Sequence, residues 1–344
     1  MNRSTFGSLG LLSLASLIPL TFAACGGGTD SGDCTASGGT NKAQYVTNAV
    51  MVPQQRSDYA IDLNGDGRVD NQLGNIIGAL TGQGLNVQMG VDQAVADGSL
   101  IVLMGENSTD AAFQSDSCAT ATVNVGQSIV APAKPDYSGM GHFTVDSGQQ
   151  GGTFNGPIKT GKFSSAPPAT TKTPVSVTIK LPLVAGADPV KLEVDGAHLQ
   201  FTRDATGKIT GGQLNGAIKE TAVQMDIIPN VAQLLSNKLM NDMPQTSTDM
   251  QIASIFDNGG KADPACSTGT CKNPSYGVRA GMCAAAKDNI IDTCEVSTAG
   301  LIQNVLAPDV QMFDASGAYA PNKDNTMKDS LSLGLSFTAV GATF

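Results

Sequence analysis

Hydrophobic and polar residues change their period several times along the chain, and each period predicts an element. In "YVTNAVMVP", Tyr45 to Pro53, Val46, Val50 and Val52 share the two-residue repeat of a strand, and Pro53 closes it because proline has no N–H for a ladder. Leu73, Ile76, Ile77 and Leu80 fall at i, i+3, i+4 and i+7, which predicts an amphipathic helix. A second helix is predicted from Val87 to Asp97, capped by Gly98 and followed by the apolar strand "SLIVLMG". From Cys118 to about Met225 the pattern is strand and turn. Helical spacing returns at Val231, Leu234, Leu235 and Leu239, with Pro229 at the start, and at Ile252, Ile255 and Phe256 behind Ser247 or Thr248. Alternating Leu331, Leu333 and Leu335 predict a final strand that returns to the sheet.

Two glycine-rich segments, "FTVDSGQQGGTFNGPIK" from Phe143 and "FTRDATGKITGGQLNGAIK" from Phe201, share FT, D, GG, NG and IK, and read as two antiparallel hairpins. The predicted fold class is α+β and β-rich: an antiparallel sheet or sandwich with a few packed amphipathic helices, preceded by a flexible tether. Residues 1–24 read as a signal peptide and 25–42 as a Gly/Ser/Thr tether. Residues 43–117 read as a mixed strand, loop and helix region, and 118–344 as a β-rich region with C-terminal helices and a cysteine-rich segment.

Composition fits this picture. With 41% hydrophobic and 15% charged residues among 344, the chain can bury a core, and 40 glycines with no tryptophan suit short strands and many turns. The formal net charge is −10 and the 20 basic residues form no cluster, so nothing is present to neutralise phosphates and nucleic acid is excluded as a partner.

Arg3, the apolar run from Leu9 to Phe22 and the small Ala23 and Ala24 precede Cys25 as an export signal would. "TFAAC" followed by "GGGTDSGD" resembles the lipobox and tether of bacterial lipoproteins, with Phe22 where that family usually has Leu. The resemblance implies lipidation of Cys25, a membrane anchor, and, with Gly26 following, the outer membrane of the cell envelope. The other six cysteines, Cys34, Cys118, Cys266, Cys271, Cys283 and Cys294, are an even set in an exported chain, so disulfides are expected. The last four are expected to pair among themselves, and Cys34 with Cys118. Zinc would want closer cysteine pairs or nearby histidines, and His142 and His198 lie far from that segment.

One stretch carries candidate chemistry. In "DLNGDGRVD", Asp62, Asn64, Asp66, Arg68 and Asp70 fall at positions 1, 3, 5, 7 and 9, with Gly67 at position 6. The spacing resembles the calcium loops of EF-hands, dockerins and thrombospondin type 3 repeats. That resemblance implies Ca2+ held by alternate side-chain oxygens and, at position 7, by the Arg68 backbone carbonyl. Position 12 departs from it, since Leu73 stands where a bidentate carboxylate belongs; Asn71, Asp92 or water would supply the missing oxygen. The alternative is an ion-free Asn-Gly-Asp-Gly turn.

No nucleophile elbow, HExxH, Walker loop or dinucleotide fingerprint occurs in the sequence. The leading expectation is a surface-anchored, calcium-stabilised lipoprotein that binds or scaffolds, with an envelope protein, glycan or lipid as partner. An extracellular hydrolase with unidentified carboxylates and an envelope lipid-handling protein are the alternatives, and pocket chemistry distinguishes them.

Overall fold

The computed structural model describes residues 33–36, 38–82, 86–182, 189–241, 247–257, 290–299 and 306–344. Cys25, Cys266, Cys271 and Cys283 lie outside them, as does the side chain of Cys294, so their expected lipidation and pairing are not addressed by it. Ten strands are present among the described residues: β1 (Asn41–Met51), β2 (Val102–Ser108), β3 (Ser115–Val125), β4 (Gly141–His142), β5 (Gly152–Lys159), β6 (Lys162–Ser164), β7 (Val177–Leu181), β8 (Val190–Arg203), β9 (Ile209–Lys219) and β10 (Ser330–Thr343). The helices are α1 (Gln72–Gly82), α2 (Val87–Asp97), α3 (Ile228–Asn241), α4 (Ser247–Phe256) and α5 (Thr293–Thr298).

The fold is β-rich and mostly antiparallel, as the pattern predicts, and its sheet closes on itself. The order β1-β2-β3-β5-β6-β8-β9-β10 returns to β1 through a second β1 ladder, giving an antiparallel barrel. β7 adds to β8, and β4 pairs in parallel with the end of β10. The boundary expected at 117/118 falls inside β3, because β1 and β2 are staves of the same ring as the later strands. Thr160 and Gly161, both at positive φ, make the two-residue turn that suits the twist of the β5–β6 hairpin.

Met104, Val123, Phe154, Phe163, Phe201, Leu214 and Phe337 point inward and are buried, while Thr120, Thr122, Asn124, Thr153 and Asn155 alternate outward. This polarity is the inverse of a membrane-spanning barrel. Inside the ring, Val50, Met104, Leu199, Leu214 and Leu335 line an apolar cavity of about 40 Å³. At one end of the barrel Arg203 pairs with buried Glu106, its guanidinium 4.0 Å from the Phe113 ring centroid. Burial raises the Glu106 pKa against the pull of Arg203. At the other end Leu73 and Ile77 of α1, Val91 of α2, Leu235 of α3 and Phe256 of α4 join the same core.

Three expectations are corrected and one is extended. A bulge at Asn48 puts Val46 on the outer wall and Val50 inside, so the two do not share a face. The segment from Phe201 is the β8–β9 hairpin, but the one from Phe143 is not a hairpin: Phe143 N–H donates to Thr343 and Asp146 N–H to Val125, while β5 pairs with β3. Pro229 is the second residue of α3, as expected, but helical backbone already precedes it. Helical backbone begins at Glu220 and widens into a π turn over Val223–Ile227, where proline lacks the N–H for a regular bond. Finally, the tether does not run free to residue 42, because β1 begins at Asn41 and Cys34 is disulfide-bonded to Cys118 in β3.

Asp116 organises the turn before that disulfide. It accepts from Ser108 Oγ (2.8 Å), Thr109 N–H (2.7 Å), Thr109 Oγ1 (2.9 Å) and Cys118 N–H (2.9 Å). Burial raises its pKa, but these donors outweigh burial and hold it at about 2. Because the folded value lies below the unfolded value of about 3.9, the contribution is complete above that pH and lost as pH falls through about 2. Asp116→Asn is therefore expected to cost about 1–3 kcal/mol in denaturant unfolding at neutral pH, with the difference shrinking toward pH 2. A difference independent of pH would contradict the assignment.

Candidate metal centre

Pro53 turns the chain out of β1, and residues 54–71 cross the outer wall before α1 begins. Ile61 and Asp70 form an antiparallel bridge, with Asp70 N–H donating to the Ile61 carbonyl (2.8 Å), so residues 62–69 are pinched at their base. Leu63, fully buried, fixes this excursion against Ala217 of β9 and against Val310, Met312 and Phe313.

Inside the pinch the acids wrap the backbone around themselves. Asp62 accepts from the N–H groups of Gly65 (2.7 Å), Asp66 (3.2 Å) and Gly67 (2.8 Å). Asn64 Oδ1 accepts from Asp66 (3.2 Å), Asp66 from Arg68 (2.8 Å), and Asp70 Oδ2 from Leu63 (3.1 Å). Gly65 and Gly67, at φ +82° and +83°, supply the left-handed residues this path requires. One oxygen each of Asp62, Asp66 and Asp70 consequently lies within 4.8 Å of the others, the one such acidic or histidine/cysteine group among the described residues. A carboxylate has about four lone-pair sites, so these bonds leave acceptor capacity.

Asp70 is the least comfortable member. Burial pushes its pKa up to about 6, Asp309 and Asp66 push the same way, and the Leu63 N–H and Arg56 oppose them. The sequence offers Arg68 as the nearby cation, yet Arg68 is exposed and it is Arg56 that lies 3.5 Å from Asp70 and 3.2 Å from Asp309. Oxygen-only donors suit a hard cation such as Ca2+. Three carboxylate oxygens this close could hold a metal ion, and the side chain of buried Leu73, at position 12, supplies no further oxygen.

The two substitutes considered for that position are engaged elsewhere. Asn71 accepts from Gly334 N–H (3.0 Å) and donates to the carbonyls of Gly334 (3.0 Å) and Asp58 (2.7 Å). Asp92, on α2, accepts from Gln88 (2.7 Å) and lies outside the group. Asn64 is buried, with its oxygen on Asp66 and its Nδ2 without a protein partner. Sequence reasoning missed Arg56 and Asp309, which meet across 253 positions with no local signal.

A second cavity, polar and about 320 Å³, lies between Thr153, Asn155, Ser165, Thr171, Thr173 and Asp33, on the segment whose Ala169 neighbours Gly65 of the acidic loop. Asp33 is the one acid among its described lining residues. His198 behind it is buried, its Nδ1 3.1 Å from the Ala166 carbonyl and 3.0 Å from Ser165 Oγ. The Ala166 carbonyl can only accept, so Nδ1–H donates to it, while Ser165 Oγ accepts from Leu199 N–H, and the pair is a structural link. His142, exposed, meets Thr343 Oγ1 (2.6 Å).

No protein family, curated protein or solved structure matches the chain.

Asn71→Ala leaves the N–H and carbonyl of Gly334 and the carbonyl of Asp58 without this partner. The expected loss is about 1–3 kcal/mol in denaturant unfolding. Stability equal to the parent would show that water substitutes for the amide.

Proposed function

We propose that the chain is an exported lipoprotein of the cell envelope, anchored through Cys25, whose barrel is stabilised by Ca2+ and serves as a binding or structural module. The observation that carries this reading is the convergence of Asp62, Asp66 and Asp70 where the loop meets the barrel wall. The ion's work there is structural: it offsets the repulsion among three carboxylates, one of them buried, and fixes the segment that leads into Asn71. A lipid-handling role has little support from an apolar cavity of about 40 Å³. A carboxylate-pair hydrolase needs a second acid, and the described lining of the polar cavity offers Asp33 alone. The size of that cavity favours binding of a small polar ligand over transport of an apolar one.

Calcium is expected to raise the melting temperature. With a Kd of about 10⁻⁴ to 10⁻³ M, about 10 mM calcium stabilises by roughly 1.4–2.7 kcal/mol. Asp62→Ala combined with Asp66→Ala should abolish the rise, and identical melting of the parent in calcium and in chelator would sink the metal reading. The anchor is checked separately: Cys25→Ser should move the protein from the membrane to the soluble fraction, and retention in the membrane fraction would refute lipidation there.

A further inference from the structure

We propose that the barrel wall around the Cys34–Cys118 disulfide is the side held against the membrane, an inference that rests on lipidation at Cys25. Asp33 and Cys34 are the first described residues, and both are fastened to the barrel. Asp33 accepts from Thr171 Oγ1 (2.6 Å), Lys172 N–H (2.9 Å), Thr173 N–H (3.0 Å) and Thr173 Oγ1 (2.8 Å). Cys34 is bonded to Cys118 of β3, with 5.8 Å between the α-carbons. Farther along, Gly39 lies so close to Ser108 that an added Cβ would sit 2.2 Å from its carbonyl carbon, and Asn41 donates to the Ser108 and Thr109 carbonyls.

Any free leash from Cys25 therefore ends at Asp33 at the latest, and not at residue 42. The steps from Cys25 to Asp33 span at most about 26–29 Å, however they are arranged, at roughly 3.3–3.6 Å per residue. A body of this residue count is on the order of 50 Å across. A leash ending at residue 42 would reach about 55–60 Å, longer than the body is wide, and any face could turn to the lipid. The shorter leash cannot pass around the body. The side across the ring, where Gly139 lies against Gly341 of β10 and Met140 is exposed, stays away from the bilayer.

The test places a fluorophore, through an azide-bearing residue, at Lys172 or at Met140 of the lipidated chain in phosphatidylethanolamine/phosphatidylglycerol vesicles. Energy transfer to a headgroup-labelled acceptor lipid is then measured. Transfer is expected to be higher from position 172. The difference should vanish when about twenty Gly/Ser residues are inserted ahead of Asp33, a change that leaves the barrel untouched. It should also vanish in Asp33→Ala combined with Cys34→Ser and Cys118→Ser. Equal transfer from the two positions, or a difference that survives the longer leash, overturns the proposal. Co-flotation with vesicles reports lipidation itself. If that fails, coupling the Cys25 thiol to a maleimide lipid supplies the same anchor chemically, and the two-position comparison still decides orientation.

Discussion

A strand that closes a barrel must have both edges satisfied along its length, and β10 does not achieve this with strands alone. Its β1 ladder ends at the pair Met51–Ser336, because Pro53 takes β1 away, while its β9 ladder continues to Ser330. The exposed edge is completed by side chains and a loop. Asn71 pairs with both backbone groups of Gly334, Asp309 Oδ1 accepts from Ser332 N–H (2.8 Å), and Val310 pairs with Ser330. Unsatisfied backbone groups at that depth would each cost on the order of 1–3 kcal/mol. Gly334 has no Cβ for a related reason, since one would sit 2.4 Å from the Tyr59 carbonyl of the covering loop.

The electrostatics of the acidic loop follow from this closure. Asp309 is buried because it finishes the β10 edge, and Asp70 is buried because it precedes Asn71, which does the same. Burial raises both pKa values, and Arg56, half-exposed, is shared between the two carboxylates. Lys328 also acts on Asp309, but Asp70 faces Asp66 and Asp309 with Arg56 as its cation, a concentration of negative charge that a divalent ion would offset.

The interior has different chemistry from the surface. Stacked Phe163 and Phe201, with ring centroids 5.0 Å apart, fill the middle, and a desolvated Arg203–Glu106 pair closes one end. Such a pair adds little net stability against apolar replacements, but losing one partner strands a buried charge, so it fixes how the end is packed. Of the two cavities described, the larger and polar one lies on the outer wall, beside the disulfide, and the smaller, apolar one inside the ring.

Local patterns were legible from residues alone. The spacing of Leu73, Ile76, Ile77 and Leu80 made α1, Gly98 capped α2 at φ +81°, and the alternating leucines made β10, because amphipathic period and cap chemistry act within a few residues. The DxNxDxRxD spacing also placed three carboxylates together, since a loop that wraps its backbone around Asp62 needs only its own N–H donors. Tertiary structure alone decided the rest. Closure of the sheet depends on β1 meeting β10 from opposite ends of the sequence, and no local period encodes which edges pair. The bulge at Asn48 reverses the faces of β1 because curvature of the closed ring, and not alternation, sets its register. Asn71 looked like an ion ligand and became a backbone partner, and Arg56 acquired Asp309, because only the folded chain brings residues so distant in sequence within hydrogen-bonding distance.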